Sequence, residues 1–361
     1  MLKVYDFKTL TLEYIFPKVI SVSFTKNFYS PGSFTITLPP YAAGSKYLKK
    51  NKIIAYGGET GIIKYLKQSN DVIEIKGVDL KGITSQRLVI PPFVYEDVPS
   101  VQSGYDRVKA SAEQVIRHYA DAHLISPSDS ARKISNLELA AYHGFGDQLA
   151  WQAKFTPLSD ELEKICTYCQ LGYDIVFDEK DKKLIFDVLC GTDRTDTDEY
   201  FGLLTFSEKF KNISSAEYVR DYLSEKNVCY VTANGEEEQQ FVYESKKQEF
   251  SGIERSEGTT TASGDDEDYT DEVSYQGLSY IKENEAAETV DAQANSKMKY
   301  KKDFFLGDFV TVAIENCFGE DISLKRQIVS VTQTWEHGKY TAEPTFGEKK
   351  KSTIKKLLRG V

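Results

Sequence analysis

Between residues 19 and 38 apolar and polar side chains alternate with a period of two, and this pattern constrains the fold more than any other. Val19, Ser21, Ser23 and Thr25 alternate with Ile20, Val22 and Phe24, and Phe34, Ile36 and Leu38 alternate with Ser33, Thr35 and Thr37. Such a period gives each strand one apolar face. Ser30-Pro31-Gly32-Ser33 joins the two strands as a type II turn, because proline presets φ at the second position and glycine supplies φ > 0 at the third. Pro39-Pro40 ends the second strand, since proline donates no ladder hydrogen bond. Further strands are predicted at 52–56, 61–66 and 71–76, so residues 1–98 read as a small antiparallel barrel or sandwich. The 23 Tyr and 20 Phe, against 2 Trp, suit half-buried pleated surfaces of this kind.

The period then changes. Val108, Ala112, Val115, Ile116 and Tyr119 form the stripe of an amphipathic helix over 106–123. A second helix starts at Thr156-Pro157, turns Leu158, Leu162, Ile165, Cys166 and Cys169 inward, and ends at Gly172. With short strands at 174–177 and 183–189, residues 99–198 read as an inserted α+β domain. Strand signals return at 228–232 and 240–243 around Asn234-Gly235, a hairpin cue. Residues 254–272 are acidic and aperiodic and read as a mobile loop, and 283–297 as a short solvated helix. Strands at 309–314, 327–334 and 339–343 complete a second barrel over 199–347, followed by a basic tail at 348–361. The fold class expected is therefore mainly β, two small antiparallel barrels flanking an α+β insertion. An internal echo supports the pairing of the two ends. Residues 48–82 and 306–347 share one order: apolar entry, strand, strand, short polar turn, strand, glycine.

Charge narrows the function. Lys and Arg total 45 against 55 Asp and Glu, a net charge of −10, which argues against gripping a phosphate backbone. No apolar run approaches the roughly 18 residues a membrane helix needs, so membrane insertion is not expected. The start, Met1-Leu2-Lys3-Val4-Tyr5-Asp6, lacks the basic flank and apolar run of a signal peptide, which places synthesis in the cytoplasm. Five cysteines, an odd number, suit reduced thiols.

Catalytic signatures are missing. Gly77-Val78-Asp79-Leu80-Lys81-Gly82 has the glycine spacing of a phosphate loop, but Ile83 stands where the lysine is needed, so it reads as a strand end and turn. Gly144-Phe145-Gly146 lacks the third glycine of a dinucleotide fingerprint. Cys166-Thr167-Tyr168-Cys169 is half a zinc site, and both thiols fall on the apolar stripe of a helix, so core packing is the reading. Asp265, Asp266, Glu267, Asp268 and Asp271 form an acidic loop without the glycine turn and terminal Glu of a calcium hand. Lys349, Lys350, Lys351, Ile354, Lys355, Lys356, Leu357 and Leu358 form a basic amphipathic segment, a candidate for docking an acidic partner. No catalytic residue, metal ligand or cofactor is expected.

The strings Asn27-Phe28-Tyr29-Ser30-Pro31-Gly32-Ser33-Phe34, Ile75-Lys76-Gly77-Val78-Asp79-Leu80-Lys81-Gly82-Ile83-Thr84, Asn227-Val228-Cys229-Tyr230-Val231, Leu306-Gly307-Asp308-Phe309-Val310-Thr311-Val312 and Pro344-Thr345-Phe346-Gly347 resemble those of the tail hub proteins of phages and phage-derived particles of Gram-positive bacteria. The resemblance implies a non-enzymatic homotrimer in which each chain gives two tube-type barrels. Three chains then make a pseudo-sixfold ring between a hexameric tail tube and a threefold tip or spike. Partners implied are the tail tube, spike or tip, tape-measure and baseplate proteins. DNA passes the channel without specific binding, so lumen carboxylates are expected to outnumber basic residues. Larger relatives carry a cell-wall-cleaving or receptor-binding module after the hub, and none is expected here beyond Gly347. Two other readings remain open: a tail-associated peptidoglycan hydrolase using His118, His143 or Asp147, and a carbohydrate or receptor binder with exposed aromatic clusters.

Overall fold

A computed structural model describes residues 1–91, 104–195, 202–234, 240–246, 248–262, 269–294 and 298–347. In chain order it opens with β1 (Leu2–Tyr5), β2 (Leu12–Phe16), β3 (Ser21–Asn27), β4 (Ser33–Leu38), β5 (Ile53–Tyr56), β6 (Glu59–Gln68) and β7 (Ile73–Asp79). Next come β8 (Asp106–Ser111), α1 (Ala112–Ala120), β9 (Leu137–Leu139), β10 (Gln148–Ala153), α2 (Leu158–Cys169), β11 (Leu171–Asp178) and β12 (Lys183–Cys190). β13 (Thr205–Ser207), β14 (Ile213–Asp221), β15 (Val228–Asn234), β16 (Gln240–Lys246), β17 (Glu257–Ala262) and α3 (Tyr269–Glu283) follow. The chain closes with β18 (Ala287–Ala294), β19 (Phe309–Cys317), β20 (Glu320–Glu336) and β21 (Lys339–Gly347). Of the described residues 47% are strand and 18% helix, so the chain is mainly β.

Two compact units emerge. The first takes the described parts of Met1–Leu80, Gly191–Asp221 and Ala287–Val361; the second takes those of Lys81–Cys190 and Tyr222–Ala286. Residues 222–286, which the sequence pattern groups with the second barrel, thus pack with 81–190. The reason lies in α3, which packs on α2 and β10 as well as on β15, β16 and β17.

The first unit is built on one sheet with the path β14-β18-β21-β20-β3-β4-β7-β6-β5-β1-β2, to which β19 and β13 attach through β20. Period-two burial makes it: Val22 and Phe24 of β3 and Phe34, Ile36 and Leu38 of β4 point into one core with Leu2, Ile54, Ile63 and Ile75. A second core gathers Phe206, Val290, Phe304, Val310, Val312, Ile328, Val331 and Phe346. Burying each such side chain contributes roughly 1.5–3 kcal/mol, so each half has its own source of stability.

Each core is backed by a block of four strands with the same connectivity. Numbered in chain order within the block, β3-β4-β7-β6 lie as 1-2-4-3, and β14-β18-β21-β20 lie as 1-2-4-3 too. A register shift interrupts β6 between Ile63 and Tyr65 opposite β7, and another interrupts β20 between Ile328 and Ser330 opposite β21. The echo read from the sequence therefore has a physical counterpart, with β5, β6 and β7 matching β19, β20 and β21.

The second unit holds a pair, β8 with β10, a three-stranded sheet β11-β12-β9 and another, β16-β15-β17. In the last of these, Cys229 and Val231 of β15 pack under Val273 and Ile281 of α3.

Five expectations are corrected. Gly32 does not take the positive φ of a type II turn; it is needed for space, since a Cβ there would lie 2.0 Å from the Thr25 carbonyl oxygen. No barrel closes among the described residues: the sheet path is open at β14 and at β2. The helix read over 106–123 begins at Ala112, where Ser111 and Gln114 form a capping box; 106–111 is strand, held by its ladder to β10. The loop read over 254–272 contains β17, whose β-branched Thr259, Thr260 and Thr261 pair parallel with β15, and the start of α3. The helix read over 283–297 is strand β18, because pairing to β14 and β21 overrides its alanine-rich propensity.

Gly307 and Gly319 separate backbone from packing effects. Both have positive φ, at 97° and 88°, but a Cβ on Gly307 would lie 2.4 Å from the Phe28 ring, while on Gly319 it meets nothing within 4 Å. Gly319→Ala is expected to cost about 1–2 kcal/mol from the left-handed backbone alone. Gly307→Ala is expected to lose about 1–3 kcal/mol more through overpacking, read as a lower urea midpoint.

Candidate functional site

The two blocks of the first unit meet along one seam, where β20 pairs antiparallel with β3 from Ser330↔Asn27 to Glu336↔Ser21. Side chains reinforce the ladder. The Thr25 and Thr332 hydroxyls lie 3.0 Å apart. Gln333 donates to Oε1 of buried Glu59 at 2.9 Å and accepts from the Tyr340 hydroxyl at 3.0 Å; Glu59 also takes the Lys301 ammonium. Burial beside Glu59 pushes the Tyr340 phenol up to about 12. Lys26 and Asp79, both buried, face each other at 3.5 Å. Beyond the ladder, the Phe28 amide donates to Val329 O at 2.8 Å, the Tyr29 hydroxyl bonds the Gln327 side chain, and Gln327 Nε2 donates to Gly307 O at 2.9 Å. Asp308 receives the Phe305 amide at 3.0 Å, and burial pushes its carboxyl up.

The same sheet leaves edges unpaired. β6 pairs on its outer side with β5 only as far as its first residues, Glu59–Ile62, and Ile63 exchanges backbone bonds with Asn51 and Lys52. From Lys64 to Gln68 all five residues are exposed, including Tyr65 at 47% and Leu66 at 41%. Among the described residues, β18 is the strand that pairs with β14, whose Val219 is 39% exposed. An exposed strand edge with apolar residues is a template for pairing with another chain.

Known proteins with this fold identify the family. A family model described as "Siphovirus ReqiPepy6 Gp37-like protein" matches residues 1–348. The chain belongs to this siphovirus tail-protein family. Among solved structures, the prophage tail protein gp18 of Listeria monocytogenes EGD-e is similar over 99% of this chain and 97% of its own, at 13% identity and a TM-score of 0.53. The 43 kDa tail protein of prophage MuSo2 from Shewanella oneidensis is similar over 96% and 97%, at 11% identity and 0.56. A tail protein from Neisseria meningitidis MC58 is similar over 96% of each chain, at 14% and 0.51. No curated protein matches in sequence. The fold is that of phage tail proteins. Parts of three resemblance strings lie at or beside the seam: Asn27 ends the β20–β3 ladder, Asp79 of β7 faces Lys26, and Gly307 lies under the Phe28 ring.

The catalytic candidates of this tail-family chain are each held by a different partner. His118 Nε2 lies 2.8 Å from Asp106 Oδ1, His143 Nε2 lies 2.8 Å from Asp187 Oδ1, and the Asp147 carbonyl accepts the Ala112 amide at 2.9 Å. Sequence reading missed a neighbour of the first pair. His123 Nε2 reaches Asp106 Oδ2 at 3.1 Å, because residues 121–125 form a π turn whose wider winding returns a side chain to the same face after five residues. Buried Glu113 accepts the His143 and Phe145 amides at 2.9 and 2.8 Å, which fixes that loop. Lys81, from the phosphate-loop-like string, is buried and donates to Tyr173 O at 2.9 Å.

Burial pushes the Cys166 thiol well up and Cys169 up to about 11, the wrong direction for a nucleophile or metal ligand. Among the described residues no cluster of three or more His, Cys, Asp or Glu is placed to hold a metal ion. Nor is any helix among them long and apolar enough to cross a membrane. Asp265, Asp266, Glu267 and Asp268 lie outside the described residues, as does the basic tail of Lys349, Lys350, Lys351, Ile354, Lys355, Lys356, Leu357 and Leu358; Asp271 falls in α3.

Burial raises the Asp106 carboxyl, but the hydrogen bonds from His118 and His123 outweigh it and hold the group down at about 2. A depressed acid stabilises above its unfolded value, near 4, and loses that contribution as pH falls towards 2. Asp106→Asn is expected to cost about 1–3 kcal/mol at pH 7. The gap to the wild type is expected to shrink below pH 4, as read from urea midpoints across pH.

Proposed function

We infer that this chain is a non-enzymatic structural hub of a phage tail or tail-like particle. Three copies form a ring whose six blocks face a sixfold tube on one side and a threefold tip on the other. The observation that carries this reading is the repeat of the 1-2-4-3 block, joined edge to edge within one chain. A chain with two equivalent blocks presents six similar faces when three copies close, which reconciles sixfold and threefold neighbours. The unpaired edges of β6 and β14 are the places where such a ring closes, and with the ring closed each block becomes part of one continuous tube-type wall. The tube protein, tip or spike, tape-measure and baseplate proteins are the partners this role requires.

Native mass spectrometry of the full chain tests the reading. The expected species has three times the 40.9 kDa mass of the chain. A chain that remains monomeric at every concentration, alone and with the tube protein of its own particle, overturns it. Zymography on cell walls is expected to show no clearing, and clearing lost in His143→Ala would replace the hub with a hydrolase.

A further inference from the structure

The internal repeat does more than count blocks: it fixes which residues should meet where one copy joins the next. This inference rests on the ring reading and deepens it. The matching shifts in β6 and β20 align Ile63 with Ile328 and Tyr65 with Ser330. Across the ladder, Gly77 then matches Phe346. Gly77 pairs with Phe34 and Phe346 with Val290, so those two match. Phe34 pairs with Phe24 and Val290 with Tyr218, so β3 and β14 align with Phe24 on Tyr218.

Burial checks the alignment independently. Val22, Phe24, Phe34 and Ile36 all face the first core, and their matches Ala216, Tyr218, Val290 and Ala292 all face the second. At two positions side-chain types agree as well: Gln68 falls on Gln333 and Arg220 on Lys26.

Within the chain, the third strand of one block, β20, pairs with the first strand of the other, β3, through Ser330↔Asn27, Val331↔Lys26, Thr332↔Thr25 and Gln333↔Phe24. Among the described residues, the matching third strand, β6, has no such strand beside Lys64 to Gln68, and the matching first strand, β14, has no strand on its outer side. We propose that β6 of one copy pairs antiparallel with β14 of a second copy in the register Tyr65↔Asp221, Leu66↔Arg220, Lys67↔Val219 and Gln68↔Tyr218. Each copy then gives one edge and takes one, a head-to-tail joint that closes on itself in a ring.

The chemistry of the edges fits this register. Lys67 opposite Val219 has Glu217 and Asp221 as its diagonal neighbours on the same face. Among the described residues the Lys67 and Glu217 side chains have no hydrogen-bond or ion-pair partner in the single chain. Tyr65, Leu66 and Val219, exposed in the single chain, become covered. A one-residue slip turns Lys67 to the face opposite these carboxylates, so the charge pattern selects the register.

Paired cysteines test it in the full chain carrying Cys190→Ser and Cys317→Ser. Lys67→Cys with Val219→Cys places two thiols where Thr25 and Thr332 touch in the seam, within reach of a disulfide. Oxidation is expected to give covalent trimers on a non-reducing gel, while Lys67→Cys with Arg220→Cys, one residue out of register, gives none. In a separate arm, Lys67→Glu is expected to weaken assembly at least 10-fold without changing the melting temperature of the monomer, and adding Glu217→Lys to restore it. If trimers form but only the out-of-register pair links, or neither pair links, the joint is overturned and the ring reading stands. If no variant and no wild-type chain leaves the monomeric state, both fail.

Discussion

The ladder between β20 and β3 is the interaction on which the rest of the first unit depends. β20 is 17 residues long, and its two parts do different work: Glu320–Gln327 pairs with β19, and the rest pairs with β21 on one side and β3 on the other. One strand thereby belongs to the second core by its side chains and to the first block by its backbone. Remove that ladder and each block keeps its own apolar core but loses its neighbour along the edge. The surrounding side chains show how much is invested there. Glu59, Gln333, Lys26 and Asp79 are all buried, and buried polar groups are tolerated only when partnered.

Equivalent blocks joined edge to edge are what the proposed structural role rests on. The titratable groups of the second unit whose acidity is shifted act as struts. Asp106 ties β8 to α1 and its π turn, Glu113 fixes the loop at His143 and Phe145, and the raised thiols of Cys166 and Cys169 belong to a helix packed in a core. Among the described residues of the first unit, the second half of β6 and the outer side of β14 are exposed strand edges, and a strand edge can be recognised by another strand.

Strands with an alternating face were legible in the sequence. β3 and β4 follow from local periodicity, though not the type II turn read between them, as do the matching runs of β5 to β7 and β19 to β21. The misread segments share a cause. Residues 106–111 carry part of a helical stripe, 257–262 are mostly threonine and glycine, and 287–294 are rich in alanine, so each was decided by a partner strand far away in the chain. Helix starts are local, and Ser111 with Gln114 states one, but the stripe preceding it carried the opposite signal. The His118, His123 and Asp106 cluster could not be foreseen either, because a π turn shifts the spacing that a regular helix would give.

By itself, then, the sequence determined a mainly β chain with two similar ends, a family resemblance carried by short strings, and no catalytic signature, all of which follow from local periodicity and residue type. Only the tertiary structure decided that the two ends share one sheet, that Asn27 and Phe28 of one resemblance string meet β20 at its seam, and that the path ends at β14 and β2 with the second half of β6 uncovered. The physical reason is the nature of a strand edge. Its hydrogen-bonding groups are backbone groups, identical for every residue but proline, so sequence tells which face of a strand is buried but not which strand lies beside it.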